Sequence, residues 1–183
     1  MDNGASSYRR YLGGDEDAFG EIVKAYFDNL LFFVNRYVRE QAAAEDIALD
    51  VFAQLAVEKH RYDFRVSLKT YLFMLGRSRA IDLLRRRKKL PQADLAEAER
   101  ISSDEPDLEA LLLADERKRT VNAAIGQLAE EQRLAVHLVY FEELTADEAA
   151  KVLKKNRKQV YNLLYRAKCE LRTILGEEGE RLL

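Results

Sequence analysis

The sequence predicts an all-α protein built as two small helical domains joined by an acidic linker. Three observations predict it. Apolar residues recur at spacings of three and four through both halves, with no convincing strand alternation. Charge is segregated: residues 1–90 carry 16 Lys/Arg and 13 Asp/Glu, residues 91–116 carry 1 and 9, and residues 117–183 carry 13 and 10. Both prolines, Pro91 and Pro106, fall in the acidic stretch, with Ser102 and Ser103 between them. Proline cannot continue a helix and biases the residue before it toward extended backbone, so PQADLAEAERISSDEP reads as a linker. The expected organisation is a domain over 1–90, a linker over 91–107 and a domain over 108–183.

In the first half, Phe19, Ile22, Val23, Tyr26, Phe27, Leu30, Leu31, Val34 and Val38 mark a helix behind the acidic DED tract. A second helix covers QAAAEDIALDVFAQLAVEK. The segment HRYDFRV breaks the pattern, and Ser67 is placed to cap a third helix, SLKTYLFMLGRSRAIDLLRRRKK. Gly20 and Gly76 weaken their helices by propensity alone.

In the second half, Val121, Ala124, Ile125 and Leu128 mark one helix and RLAVHLVYF the next. Thr145 and Glu148 then have the T-x-x-E spacing of a capping box at the start of TADEAAKVL. After the short break KKN, Asn156 is the natural N-cap of an amphipathic helix. Two short helices, a tight turn and an amphipathic second helix describe a helix-turn-helix. The glycine often found in that turn is absent, so Lys154 or Lys155 must serve.

That last helix raises a question of charge. At about 100° per residue, Val160, Leu163, Leu164, Ala167 and Leu171 share a sector of roughly 100°, and Arg157, Lys158, Tyr161, Asn162, Tyr165 and Lys168 face the opposite way. From Lys151 to Arg172 there are eight basic residues and one acidic one, Glu170. Cations in a first helical turn oppose the macrodipole, so another interaction must favour them. Phosphates and base edges are the ligands that such cations, phenols and an amide suit, at the part of a helix-turn-helix that meets the major groove.

The first half has a second nucleic-acid pattern. RSRAIDLLRRRKK holds seven basic residues against Asp82. The break before it interleaves Tyr62 and Phe64 with Lys59, Arg61, Arg65 and Lys69. Aromatic faces stack unpaired bases while cations follow the backbone, which suits opened DNA. The competing reading places Tyr62 and Phe64 in the core under a loop. On the second helix, Asp46, Asp50 and Gln54 recur every four residues as a polar stripe.

Other chemistries are poorly supported. One cysteine excludes an internal disulfide framework and suits a reducing compartment. Two histidines, His60 and His137, and Cys169 are too few and too dispersed for a zinc site or a nucleophilic constellation, so no catalytic residue, metal or cofactor is expected. His137 and Cys169 lie within apolar helical patterns and read as core residues. No apolar h-region opens the sequence and no run approaches the roughly 18 residues of a membrane span, so a soluble cytoplasmic protein is expected.

The order of these parts resembles the extracytoplasmic-function (ECF) sigma factors, compact two-domain members of the bacterial sigma-70 family. AEDIALDVFAQL and SLKTYLFMLGRSRAIDLLRRRKK are similar to the family's first-domain motifs, and QLAEEQRLAVHLVYFEELTADEAAKVLKKNRKQVYNLLYRAKCELRTIL to its second-domain pattern. The similarity covers about residues 15–90 and 108–175. Departures fall at Tyr71 for a tryptophan, Ser78 for an asparagine, Ala129 for a proline, and Leu49 or Asp50 where a glutamine is usual.

The resemblance implies a promoter-recognition subunit of RNA polymerase with no catalysis of its own. The helix bearing Asp46, Ile47, Asp50, Val51, Phe52 and Gln54 would dock on the clamp helices of the largest polymerase subunit. The −10 element would be melted and held by Arg61, Tyr62, Phe64, Arg65, Lys69, Arg77, Ser78, Arg79, Arg85 and Arg86. The −35 element would be read by Asn156, Arg157, Lys158, Tyr161, Asn162, Tyr165, Arg166 and Lys168. The acidic linker would thread through basic polymerase channels, and an anti-sigma partner is expected of the family. The alternative is a stand-alone helix-turn-helix regulator whose first domain dimerises or senses a signal.

Overall fold

A computed structural model describes residues 4–89 and 116–176, with side chains from 120 onward in the second stretch. The linker over 91–107, and residues 108–115 assigned to the second domain, lie outside the described residues. The chain divides into two compact units. All regular structure among the described residues is helical.

The first unit holds α1 (Ala5–Leu12), α2 (Asp17–Val38), α3 (Gln41–Val57) and α4 (Leu68–Lys89). Helix α2 is the central element, packing against each of the other three. It buries Ile22, Leu30, Val34 and Val38 on the face its spacing predicts, and also Phe33, which the sequence reading does not mark. Phe33 stacks on Phe73 of α4 at 4.9 Å between centroids, and Phe27 on Phe52 of α3 at 5.8 Å. Complete burial of an apolar side chain of this size contributes about 1.5–3 kcal/mol.

Local chemistry sets the helix ends. Asp15 Oδ1 accepts from the Ala18 N–H at 3.3 Å, so the acidic tract does cap α2. Arg39 (φ 53°) turns the chain in the left-handed region, and two residues later α3 begins. Ser67 Oγ accepts from the Thr70 N–H at 3.2 Å and starts α4. Gly76 lies inside α4 because α2 crosses close by: a Cβ there would stand 2.8 Å from Leu30 Cδ1 and 3.0 Å from Val34 Cγ2. Close packing outweighs the propensity cost of about 1 kcal/mol.

Helix α1 has no counterpart in the sequence reading. Gly4 (φ 81°) precedes it and Gly13 ends it. Tyr8 is its anchor: fully buried, with its hydroxyl donating to the Leu55 carbonyl at 3.1 Å and the Lys59 carbonyl at 2.8 Å. The first of those bonds satisfies an acceptor in the last turn of α3 that helix geometry leaves open, and the second holds the chain just beyond it. Burial, and then the neighbouring Tyr11, push the Tyr8 phenol up to about 12. Arg10 is held by Asp15 and Glu21 at 2.7 and 2.9 Å.

The second unit holds α5 (Glu116–Gln127), α6 (Glu130–Val136) continuing into a π-helical turn over His137–Phe141, α7 (Ala146–Leu153) and α8 (Arg157–Leu175). Its core joins Ala124 and Ile125 of α5, Leu128 just past its end, Val136 of α6, and Ala167 and Leu171 of α8. At Ala129 the departure from proline has a local compensation. Its backbone N–H, which proline would lack, donates to Gln132 Oε1 at 2.9 Å.

His137 is buried, as its apolar pattern implies, with Nε2 3.3 Å from Oε1 of buried Glu142 and its ring stacked on Phe141 at 5.7 Å. Cys169 corrects the sequence reading: it is exposed. On α8 it is two residues, about 200° at helical pitch, from Ala167 and Leu171, which define the buried line.

Candidate nucleic-acid interface

The helix-turn-helix is built by two capping boxes and one strained turn residue. Thr145 Oγ1 accepts from the Glu148 N–H at 3.3 Å while Glu148 Oε2 accepts from the Thr145 N–H at 3.0 Å, which fixes the start of α7. Asn156 and Gln159 repeat the arrangement at α8, each backbone N–H donating to the other's side-chain oxygen at 2.8 Å. Between them, Lys154 (φ 53°) occupies the left-handed position that glycine commonly fills. The Lys155 N–H returns to the Ala150 carbonyl at 2.9 Å, and its ammonium pairs with Glu131 of α6 at 2.8 Å.

Helix α8 buries Val160, Ala167 and Leu171. Asn156, Arg157, Lys158, Tyr161, Asn162, Tyr165, Arg166 and Lys168 are all exposed. The cation of the first turn has a local partner: Arg157 lies 3.5 Å from the Asp147 carboxylate of α7 and donates to the Tyr161 hydroxyl at 3.3 Å. Its guanidinium also stands over the Tyr161 ring at 5.4 Å. The Tyr161 hydroxyl, and then Asp147, hold Arg157 above its ordinary pKa. These partners pre-orient the fork of donors and offset the unfavourable macrodipole.

In the first unit the residues expected at opened DNA separate into three groups. Tyr62 is a core residue: it is 3% exposed, its hydroxyl donates to the Val66 carbonyl at 2.6 Å, and its ring packs against Tyr71 at 5.1 Å. The expectation that Tyr62 offers a face to a base is therefore corrected, because the same burial that orders the loop covers the ring. Tyr71 keeps an aromatic packing role at the position of the usual tryptophan. Phe64 differs: it is partly exposed, has φ 61°, and lies between exposed Arg61 and Arg65 along the loop. A bulky residue in the left-handed region stores strain, of a kind that clusters at ligand clamps.

Arg61 is paired with Glu58, Arg65 with Asp63 at 3.2 Å, and Arg85 with Asp82 at 3.6 Å. The Lys69 ammonium stands 6.0 Å from the Phe73 ring centroid. Arg86 is exposed, and Arg77 is half-buried with a buried Nε that has no hydrogen-bond partner. Arg79 turns to α3, donating to Gln54 at 2.5 Å with Asp50 at 3.5 Å.

Helices α3 and α4 border a groove of about 620 Å³, lined by Asp46, Asp50 and Gln54 on one side and Ser78, Arg79 and Arg86 on the other. Asp46 and Asp50 are exposed, as a docking stripe requires. Ile47, Val51 and Phe52 are corrected from docking surface to core, at 7%, 0% and 4% exposure. The exposed large apolar side chains of this helix are Leu49 at 53%, which the sequence reading marks only as a departure from a usual glutamine, and Val57 at 82%, which it passes over. An odd apolar residue among polar neighbours gives no periodic pattern to find. Among the described residues no cluster of His, Cys, Asp or Glu could hold a metal ion.

One unit carries a basic helix-turn-helix and the other a basic, aromatic-bearing loop, the residue chemistry of nucleic-acid contact. Comparison with known proteins gives the class its name. Residues 22–90 match the family Sigma-70 region 2, and residues 118–171 match Sigma-70, region 4. Among curated relatives, the ECF RNA polymerase sigma factor SigW of Bacillus subtilis is 27% identical over 172 residues, 90% of this chain and 92% of the relative. The ECF RNA polymerase sigma factor RpoE of Cereibacter sphaeroides is 29% identical over 137 residues, 74% of each.

Two solved structures share the fold. One is the sigma factor RpoE with the anti-sigma factor NepR from Bartonella quintana, at TM-score 0.63 and 16% identity, covering 87% of this chain and 97% of that one. The other is CnrH with the cytosolic domain of CnrY, at TM-score 0.63 and 21% identity, covering 95% and 97%. The chain belongs to the sigma-70 family, as a member of its ECF group of alternative sigma factors, which direct transcription initiation. Helix α1 precedes both matched stretches.

Proposed function

We propose that this protein binds core RNA polymerase through α3, captures the opened −10 element with the loop between α3 and α4, and reads the −35 duplex with α8. The observation that carries the reading is the sidedness of α8. Eight cationic, phenolic or amide side chains from Arg157 to Lys168 face solvent while Val160 and Ala167 are buried. Docking falls to Asp46, Asp50 and Gln54 with exposed Leu49 and Val57. The −10 site centres on Phe64, Arg61 and Arg65, with Lys69, Arg77, Ser78, Arg85 and Arg86 along α4.

The domain limits of the reading are 1–90, 91–107 and 108–183, with the acidic linker in basic polymerase channels. The reading assigns no catalytic step and no cofactor. It places the protein in the cytoplasm with its polymerase; among the described residues no helix is long and apolar enough to cross a membrane. An anti-sigma protein is a further proposed partner, as one accompanies a relative of like fold.

A gel shift on selected promoter fragments, with and without core polymerase, tests the proposal. A specific shift only in the presence of core supports it. A specific shift by the protein alone, unaltered by core, would instead identify a stand-alone helix-turn-helix regulator.

A further inference from the structure

Helix α1 precedes residues 22–90, which match Sigma-70 region 2, yet it is built against the loop assigned to opened DNA. Three of its residues reach that loop, Tyr11 by lying under the Lys59 ammonium at 4.4 Å. Tyr8 binds the Leu55 and Lys59 carbonyls, meets the Tyr62 ring edge-on at 5.5 Å and lies 6.1 Å from the Phe64 ring. Next to it, the exposed Arg9 carries its guanidinium over the Phe64 ring, 4.8 Å from the centroid. Tyr62 packs against the same ring at 4.6 Å.

The neighbouring cation has a different use. Arg10 is held by Asp15 and Glu21, an arrangement that ties α1 to the start of α2. Arg9 is instead stacked on an aromatic ring. A planar guanidinium on a ring has a second plane, and unpaired bases stack on such planes as they do on aromatic side chains. Its charge also lies where exposed Arg61 and Arg65 already favour a phosphate chain.

We propose that Arg9 is a base-contacting residue of the −10 site: the Phe64 ring supports its guanidinium, and an extruded base of the opened strand stacks on the outer plane. Tyr8 is the positioning residue, fixing the loop and α1 to each other. The proposal rests on the sigma-factor reading and adds to it a helix that precedes the stretch matching Sigma-70 region 2. It also gives the strained backbone of Phe64 a role, since that conformation presents the ring to α1.

The test uses holoenzyme assembled from core polymerase and the full chain, on a promoter the wild type transcribes, with each non-template nucleotide of the opened region replaced in turn by an abasic site. Absence of any promoter-specific transcript with the wild type would reject the sigma-factor reading itself. Given transcription, the readout is the ratio of open complex on intact and abasic templates within each variant, which is independent of the amount of folded protein.

Wild type is expected to lose about five- to thirtyfold at one position, the captured base. Arg9→Ala and Arg9→Lys should both bring that ratio to about one, while Arg10→Ala keeps the wild-type ratio. An unchanged ratio in Arg9→Ala at every position would overturn the proposal. So would a wild-type ratio in Arg9→Lys, because lysine keeps the charge and lacks the plane.

Discussion

Arg79 of α4 donates to Gln54 of α3 at 2.5 Å, so a residue expected on DNA phosphate is bonded to one expected on polymerase. Asp50, 3.5 Å from the same guanidinium, completes the bridge across the groove. On the proposed function, Arg79 thereby positions the docking stripe. Arg79→Ala should weaken core binding about three- to tenfold, as Gln54→Ala does, and the double variant should be no worse than either, the signature of one shared interaction. Titration of core with labelled protein measures all three. Additive losses would separate the two residues.

Charge reversal tests the stripe itself. Asp46→Lys with Asp50→Lys should abolish co-purification with core polymerase while circular dichroism shows unchanged helix. Both side chains are exposed, so the fold has little at stake. Retained binding would move the docking surface elsewhere.

The Tyr8 phenol predicts an alkaline weakness in the first unit. Its value is pushed up to about 12, chiefly by burial, whereas an unfolded tyrosine titrates near 10. Above pH 10 the unfolded chain has lost a proton that the folded one keeps. Its contribution is therefore full below pH 10 and disappears as pH rises toward 12. Urea unfolding between those limits should show a shallower pH-dependent loss for Tyr8→Phe than for wild type. At neutral pH that variant should be less stable by about 1–3 kcal/mol, because two carbonyls lose their donor.

In the second unit, buried His137 and Glu142 face each other ahead of α7 in sequence, at 3.3 Å. Truncating Glu142 to alanine leaves a buried imidazole without that partner. Thermal unfolding should report a loss of about 1–3 kcal/mol. A variant with His137→Phe and Glu142→Leu should recover part of that loss, since replacing both partners removes the stranded group.

The parts of this architecture that side chains cap locally were legible in the sequence: Ser67, Thr145 and Asn156 each sit at the helix start their spacing implies. So was the outward face of α8, because helical pitch alone sorts Arg157 and Lys158 from Val160. Helix α1 was not, because SSYRRYL offers little apolar periodicity and its order comes from Tyr8 reaching carbonyls 47 and 51 residues away. The Gly76 crossing, the π-helical turn at His137 and the burial of Tyr62 are likewise tertiary effects. Arg157 shows the same division. Its outward direction is in the sequence, and its pairing with Asp147 depends on the angle between α7 and α8.

That pairing sharpens what substitution on α8 should do. Arg157→Ala removes an exposed ion pair along with an unfavourable dipole contact, so the stability of the free protein should hardly change. Promoter choice should change far more, since a bidentate arginine contact to guanine carries about 1–3 kcal/mol of discrimination. Arg157→Ala and Lys158→Ala should each alter the −35 preference recovered from a promoter library. Arg166→Ala should weaken all promoters alike and lower the salt slope by about one.

Run-off transcription with core polymerase over pooled genomic promoters tests the central claim most directly. Transcripts should appear only when protein and core are both present. Their start sites should share one −10 and one −35 sequence at a fixed spacing, and Arg157→Ala should shift the −35 sequence alone. Transcription with no shared upstream sequence, or none at all while the protein binds DNA without core, would contradict the account.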